Sequence, residues 1–238
     1  MVIPAYNEAR RLPPTLEKIQ RHLSGRPHEI LVVDDGSTDD TAERAAAAGV
    51  RVLRNEGNRG KGYSVRRGML ESRGARRLMT DADLSTPIED LGRLMAKMDE
   101  GYDVVIASRA LPESNVEVRQ PWYRENMGRL FNLCVRAVAL PGLQDTQCGF
   151  KLFTAAAADQ AFGLARLDGF SFDVEALFVA RRHGARIAEV PVTWRNDEAT
   201  RVNSVKGAVA FLDLARIRLS GWRGDYDAGR SSGGGAVL

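Results

Sequence analysis

At 238 residues, with 44% hydrophobic and 27% charged residues, the chain has the length and balance of one generous globular domain, which excludes a disordered or fibrous protein. A formal net charge of +3 gives no bulk attraction to polyanions, so no nucleic-acid partner is expected, although 29 of the 34 basic residues are arginine, the better bidentate phosphate ligand. Cys134 and Cys148 form no CxxC, the three histidines lack metal-ligand spacing, and no signal peptide or run of ~20 apolar residues is present; a reduced, cytoplasmic setting is expected, with at most peripheral contact on the cytoplasmic face of a membrane.

The chain opens on "MVIPAYNE", a short first strand whose natural start is expected a few residues upstream. Leu12, Leu16, Ile19 and Leu23 fall at helical spacing behind Pro13-Pro14. "EILVVDD" (29–35) is a near-continuous apolar run ending in two aspartates, as a strand buried on both faces reads. A capped helix over "STDDTAERAAAAG", a strand over 50–53, a helix over "GKGYSVRRGMLESR", a strand "RRLMT", a helix begun by Pro87 and a strand over 102–109 follow. Strands alternating with helices of this length predict βαβ crossovers and a parallel sheet. After Arg109 the regularity fades. A polar loop is expected over 110–123, a helix over 124–140, a turn into a strand over 145–153, a helix over 173–183, a strand over 185–194 and an amphipathic helix over 205–220. The Gly/Ser-rich end, 223–238, reads as a disordered tail. The predicted organisation is a single domain over 1–222 in two halves, a regular one over 1–109 and a less regular one over 110–222.

In open parallel sheets ligands gather at the carboxyl ends of strands. Four such ends here are polar: "PAYNE", "DDGS", "DAD" and "SR". The dinucleotide fingerprint fails because Val65 stands where the third glycine belongs, and the P-loop fails because Asn55 and Gly62 occupy its first glycine and hydroxyl positions. Asp81 and Asp83, either side of Ala82, repel each other and cannot be buried cheaply without a partner. They read either as solvated loop carboxylates before a helix cap or as ligands of one hard divalent cation, Mg²⁺ or Mn²⁺, that also bridges a diphosphate. Their place at a strand end, in register with three other polar strand ends, favours the cation.

The ordered series "VIPAYNE", "VVDDGSTDDT", "NRGKG", "DADLSTP", "SR" and "DTQCGFK" resembles the motifs of family 2 glycosyltransferases over residues 2 to about 220. "DTQCGFKLF", "FSFDVEALFVARRHG" and "EVPVTW" are most similar to the dolichyl-phosphate (polyprenyl-phosphate) β-glucosyltransferase branch, with polyprenyl-phosphate mannose synthases as neighbours. The resemblance implies a GT-A fold: a Rossmann-like, mostly parallel α/β sheet flanked by helices, with an elaborated C-terminal acceptor region. It also implies UDP-glucose as donor, a polyprenyl phosphate as acceptor, and metal-dependent transfer with inversion.

By the same resemblance Pro4, Tyr6 and Glu8 line the uridine pocket, where Tyr6 offers a flat face to a base. Asp35 is expected to accept the uracil N–H with Asp34 beside it; a helix-capping turn is the structural alternative for both. Lys61, at a helix start suited to a phosphate, reaches the donor or is simply solvated. Arg109 is implied to bind a diphosphate or acceptor phosphate, and Arg119 and Arg124 the lipid phosphate. Asp145 orients the acceptor or acts as base, and Gly149 allows close backbone approach. Cys148 is read as a small buried residue and not a nucleophile, while Asp173 and Glu175 brace a loop or touch the sugar, bracing being the favoured reading.

A polyprenyl phosphate is already anionic, so its oxygen needs little general-base help. Asp83, Arg109 and Asp145 are the catalytic candidates, with metal and Arg109 expected to stabilise departing UDP. Two departures stand out. Ser85 replaces a glutamine that joins the metal in some mannose synthases of the family, so a third protein ligand is not carried over. No segment matches the membrane anchor of the eukaryotic glucosyltransferases, so membrane contact would depend on the 205–220 helix, where Val205, Val209, Leu212 and Ile217 share roughly one side; packing of that side on its own domain is the more usual outcome. The rivals are a GDP-mannose or non-lipid-acceptor transferase, a sugar nucleotidyltransferase, whose Gly-rich N-terminal loop is missing, and a nucleotide-sugar binding module without turnover.

Overall fold

The computed structural model describes residues 1–118, 122–195 and 204–227, with side chains described over 1–118, 126–195 and 209–227. Chain order is β1 (Val2–Ala5), α1 (Leu12–Leu23), β2 (Leu31–Asp34), α2 (Thr41–Ala47), β3 (Arg51–Arg54), α3 (Lys61–Glu71), β4 (Arg76–Thr80), a 3-10 turn (Ile88–Asp90), α4 (Leu91–Asp99) and β5 (Val104–Ser108). Beyond it lie β6 (Asn115–Val118), α5 (Trp122–Val138), β7 (Phe150–Thr154), α6 (Ala155–Leu164), α7 (Phe172–Arg182), β8 (Ile187–Pro191), β9 (Thr193–Arg195) and α8 (Ser204–Arg223).

Local chemistry explains most of these elements. Both prolines of α1 stand in its first turn, where the missing N–H groups have no helical partner to lose, and its buried stripe is the predicted Leu12, Leu16, Ile19, Leu23. β2 and β5 are buried along their whole length, as their uninterrupted apolar runs require. Seven strands form one sheet in the order β3-β2-β1-β4-β7-β5-β8. Helices cover both faces: α1 and α4 pack over a core containing Ile3, Leu16, Val32, Leu94 and Phe150, and α3, α6, α7 and α8 over one containing Val2, Met69, Phe153, Leu177 and Ile217. Each large apolar side chain fully buried there contributes on the order of 1.5–3 kcal/mol relative to exposure.

β7 alone runs antiparallel, against β4 (Thr80 opposite Phe150) and β5 (Ile106 opposite Lys151). This reversal positions the site. An antiparallel strand begins where its parallel neighbours end, so residues 145–149, just before β7, lie at the same sheet edge as Asp81, Asp83 and Arg109.

Several expectations are corrected. The supposed loop over 110–123 contains β6, which pairs in parallel with β9 in a small second sheet, and the supposed strand over 185–194 is divided at Val192 into β8 and β9. α6 was not expected at all. Its sequence, AAAADQAFGL, has no apolar stripe, and its start is marked by the Thr154 hydroxyl accepting from the Ala157 N–H. The tail does not begin at 223: α8 runs to Arg223, Tyr226 is buried, and its hydroxyl donates to Glu175 at 2.8 Å. Residues 228–238 lie outside the described residues. Among the described residues no helix is long and apolar enough to cross a membrane.

Candidate active site

The carboxyl edge of the sheet opens into a cleft of about 1980 Å³. Pro4, Tyr6, Glu8, Asp35, Lys61, Asp81, Asp83, Arg109 and Asp145 all line it, so the structure brings together nine sequence candidates from six segments of chain. Asp34 is not among them. It is fully buried beside the cleft, where one carboxylate oxygen accepts from the Ser37 N–H and the other faces Arg54 at 3.2 Å. Arg119 lies outside the described residues, and Arg124 lies on α5 where side chains are not described.

β4 ends at Thr80, and a turn closed by the Leu84 N–H donating to the Asp81 carbonyl then carries Asp81 and Asp83 to the cleft. Ala82 is buried, its carbonyl accepting from the Thr15 hydroxyl at 2.7 Å. Asp83 closes a turn by accepting from the Ser85 N–H at 2.9 Å, and Leu84 between them sits at φ 46°, a left-handed conformation rare for a branched residue. Burial, then the adjacent Asp81 charge, raise the Asp83 carboxyl above the ordinary aspartate value. Asp81 pairs with Lys61 Nζ at 2.7 Å and packs against the bare Cα of Gly149; a Cβ there would stand 2.6 Å from the Asp81 Cγ. The close approach predicted at Gly149 is thus made by a carboxylate. Lys61 also lies near Asp173, and although burial opposes its charge, Asp81, Asp173 and Asp83 keep its ammonium protonated.

At the β1 end of the cleft, backbone groups of residues 7–9 are fastened to the 37–41 segment: Asn7 N–H donates to Ser37, Glu8 N–H to Thr41 and Ala9 N–H to Asp39. This stitching holds Tyr6 and Glu8 at the rim. Asp35 is heavily engaged, accepting from Asn55 Nδ2, Arg59 N–H and Gly60 N–H at 2.8–2.9 Å. The start of α3 is not open to a phosphate as its sequence implies. Gly62 and Tyr63 N–H donate to the Asp168 carbonyl, and Gly60, at φ 101°, makes room for that same carbonyl.

Across the cleft, Arg109 grips Asp145 through Nε (2.6 Å), Nη2 (2.8 Å) and its own N–H (2.9 Å), and its guanidinium lies 5.3 Å from the Trp194 ring. Burial would raise the Asp145 carboxyl, but the Arg109 guanidinium holds it below the ordinary aspartate value. The Asp145 and Gln144 N–H groups donate to Glu189 on β8, which fixes the turn. Lys151, buried, donates to Asp173 at 2.7 Å and to the Cys148 carbonyl. Cys148 is inert packing: burial, first, and the Asp145 charge push its thiol up to about 11. Glu175 braces as expected, accepting from Arg166 and Leu167 N–H and from Tyr226.

Lys151, Glu189 and Asn55 were not singled out from sequence. Lys151 had a signal, since a lysine in an apolar strand must find a buried acid.

The Glycosyl transferase family 2 model matches residues 1–161. The chain belongs to glycosyltransferase family 2. This family 2 enzyme is 34% identical over 238 residues to the dolichyl-phosphate beta-glucosyltransferase of Dictyostelium discoideum, covering 92% of this chain and 73% of that one. It is 36% identical to the mouse (Mus musculus) dolichyl-phosphate beta-glucosyltransferase over 222 residues, 85% of this chain and 68% of the relative. Its fold is shared with glucosyl-3-phosphoglycerate synthase from Mycobacterium tuberculosis, solved with Mn²⁺, UDP-glucose and phosphoglyceric acid, at TM-score 0.69 and 21% identity over 91% of this chain and 78% of that one. The GT-A architecture read from sequence is therefore the observed one.

Proposed function

We propose that this glycosyltransferase moves glucose from UDP-glucose onto a dolichyl or polyprenyl phosphate, with inversion at the anomeric carbon. The observation that carries this reading is the charge of the acceptor wall. Asp145 is held as a carboxylate in the bidentate grip of Arg109, and Asp173 is paired with Lys151, so the wall offers a guanidinium in place of a free base. An acceptor hydroxyl would need a base there. A phosphate monoester arrives with its charge already developed and is attracted by Arg109. The curated relatives carry dolichyl phosphate in their names, which supports the same acceptor.

The donor end fits a divalent cation. Asp81 and Asp83 both face the cleft and share Lys61 as a nearby cation, and the Asp83 carboxyl is raised by burial and then by its neighbour's charge. They are the residues that would hold Mg²⁺ or Mn²⁺, which when bound neutralises charge on the departing diphosphate. Among the described residues no cluster of three or more acidic, histidine or cysteine ligands is present, so two carboxylates would leave the remaining positions to water and donor phosphates. Tyr6 and Glu8 at the rim receive the nucleoside. Asp35 holds the 55–60 segment that leads into Lys61. Arg109 stands between donor and acceptor, and Asp145 acts as its positioning residue rather than as a base.

The test is product analysis. Purified protein is incubated with Mg²⁺ or Mn²⁺, a polyprenyl phosphate and, in parallel, labelled UDP-glucose and GDP-mannose. Label passing from UDP-glucose to the organic phase, blocked by EDTA, is the expected result. Transfer from GDP-mannose alone would replace the donor, and UDP binding without any lipid product would overturn the acceptor.

A further inference from the structure

The large hydrophobic side chains that remain exposed are not scattered. Eight of the twelve among the described residues stand on α5 and α8, from Met127 to Val138 and from Val209 to Trp222. Leu212, Leu219 and Trp222 follow one another at i, i+7 and i+10, one stripe of α8, while Leu214 and Ile217 on its other side are buried. Ile217 therefore does not share a side with Val209 and Leu212, as the sequence reading had it. Leu130 and Leu133 repeat the arrangement on α5, opposite buried Phe131 and Val135. Phe131 and Phe211 join the two helices edge to face, 5.3 Å apart. Trp222 at 70%, Leu212 at 61% and Leu133 at 54% exposure are far outside what packing on the same domain would leave.

Charge on these helices is one-sided. Over the described side chains of α5 and α8 the basic residues are Arg129, Arg136, Arg216, Arg218 and Arg223, and the single acid, Asp213, is buried against Arg216. The Arg218 guanidinium lies 5.2 Å from the Trp222 ring, joining a cation to the most exposed aromatic. The face is also continuous with the cleft. Met127 is exposed and lines it, as do Phe131, Ala210 and Phe211 from the two helices.

We propose that the exposed face of α5 and α8 is a docking surface for an anionic lipid bilayer, which seats the mouth of the acceptor half on the membrane that carries its substrate. Apolar side chains interleaved with arginines on helices lying flat match the two layers of a membrane surface, acyl chains below and anionic headgroups above. A second copy of the chain is the poorer occupant, because a two-fold contact would set the arginines of one face against those of the other. The inference rests on the lipid-phosphate acceptor proposed above.

The experiment is co-sedimentation of the full chain with vesicles of phosphatidylcholine alone or mixed with phosphatidylglycerol. Wild type is expected to bind the mixed vesicles more tightly. A Leu133→Ser/Leu212→Ser/Trp222→Ser variant is expected to lose that binding by at least ~10-fold, as burial of three large apolar groups requires. Its transfer of glucose to a water-soluble, short-chain prenyl phosphate is expected to stay unchanged, since none of the three residues lines the cleft. Trp222→Ser alone serves if the triple variant does not fold. Unchanged vesicle binding in these variants would overturn the proposal, and so would a stable wild-type dimer in sedimentation that the substitutions dissociate. Vesicle binding with no transfer to either acceptor would instead overturn the acceptor and leave the docking surface standing.

Discussion

At the end of β4, Asp81 and Asp83 have Lys61 as their common cation, which Asp173 also approaches, whereas across the cleft Asp145 has Arg109 to itself and Asp173 is paired with buried Lys151. The same residue types therefore do opposite work at two ends of one site. Across the cleft the carboxylates are spent: they fix Arg109 and the turn before β7, and a ligand meets a prearranged guanidinium that needs no reorganisation. At β4 the negative charge is undercompensated, which is a demand for a cation that a ligand can bring. Substitution at the two ends should separate these roles.

The largest effect is expected at the undercompensated end. On the proposed function, Asp83→Ala should abolish glucose transfer, by ~10³-fold or more, with unchanged far-ultraviolet circular dichroism, because it would remove a ligand of the cation that offsets charge on the diphosphate. Near-normal turnover after stripping of metal would contradict the assignment.

Asp145→Asn should lower kcat by ~10²-fold through loss of the Arg109 alignment, and it should also destabilise the fold. Arg109 is a quarter exposed, so the cost is expected near 2 kcal/mol, under the ~3–5 kcal/mol of breaking a fully buried pair, and Tm should fall by roughly 4–8 °C. The sign with pH is definite. The folded-state pKa of Asp145 is depressed, so its stabilisation is present above the ordinary value of 3.8 and is lost as pH falls through the lower folded value. The Tm gap between wild type and variant should therefore narrow in acid; a constant gap would remove the pair from the stability account.

Gly149→Ala sharpens the comparison from within. The three atoms nearest the new Cβ all belong to the Asp81 carboxylate, which it displaces, so Mn²⁺ affinity should fall by ~10-fold while Arg109-dependent stability is kept. Lys61→Gln should act in the other direction. Freed of its ammonium, the carboxylate pair should bind Mn²⁺ without nucleotide several-fold more tightly, read by calorimetry. The smallest effect is chemical: Cys148, buried with its thiol pushed up to about 11, should resist alkylation at pH 8 in the native protein while partly exposed Cys134 reacts.

Much of the β4 end was legible in the sequence because its signal is local. An apolar run that stops at Thr80 and presents two carboxylates around one alanine announces both a strand end and a charge problem. The strands and helices through β5 were legible for the same reason, since each carries its own period and punctuation. The other end was not, because it is assembled by pairing across long separations. Nothing near Lys151 announces Asp173, and nothing near Asp145 announces Glu189 on β8; β7 had first to be known as antiparallel. Asp34 and Asp35 look alike in "VVDDGS", yet strand alternation sends one beneath the cleft and the other into it. Tyr226, in a segment with the composition of a tail, is held by a hydroxyl bond to Glu175 that no composition reveals.

The central claim is the contrast itself, and Mn²⁺ binding measured by electron paramagnetic resonance in the presence of UDP tests it most directly. Wild type and Asp145→Asn should bind one Mn²⁺ with similar affinity, and Asp83→Asn should bind it at least ~10-fold more weakly. Equal binding by all three proteins, or loss in Asp145→Asn with retention in Asp83→Asn, would contradict the account.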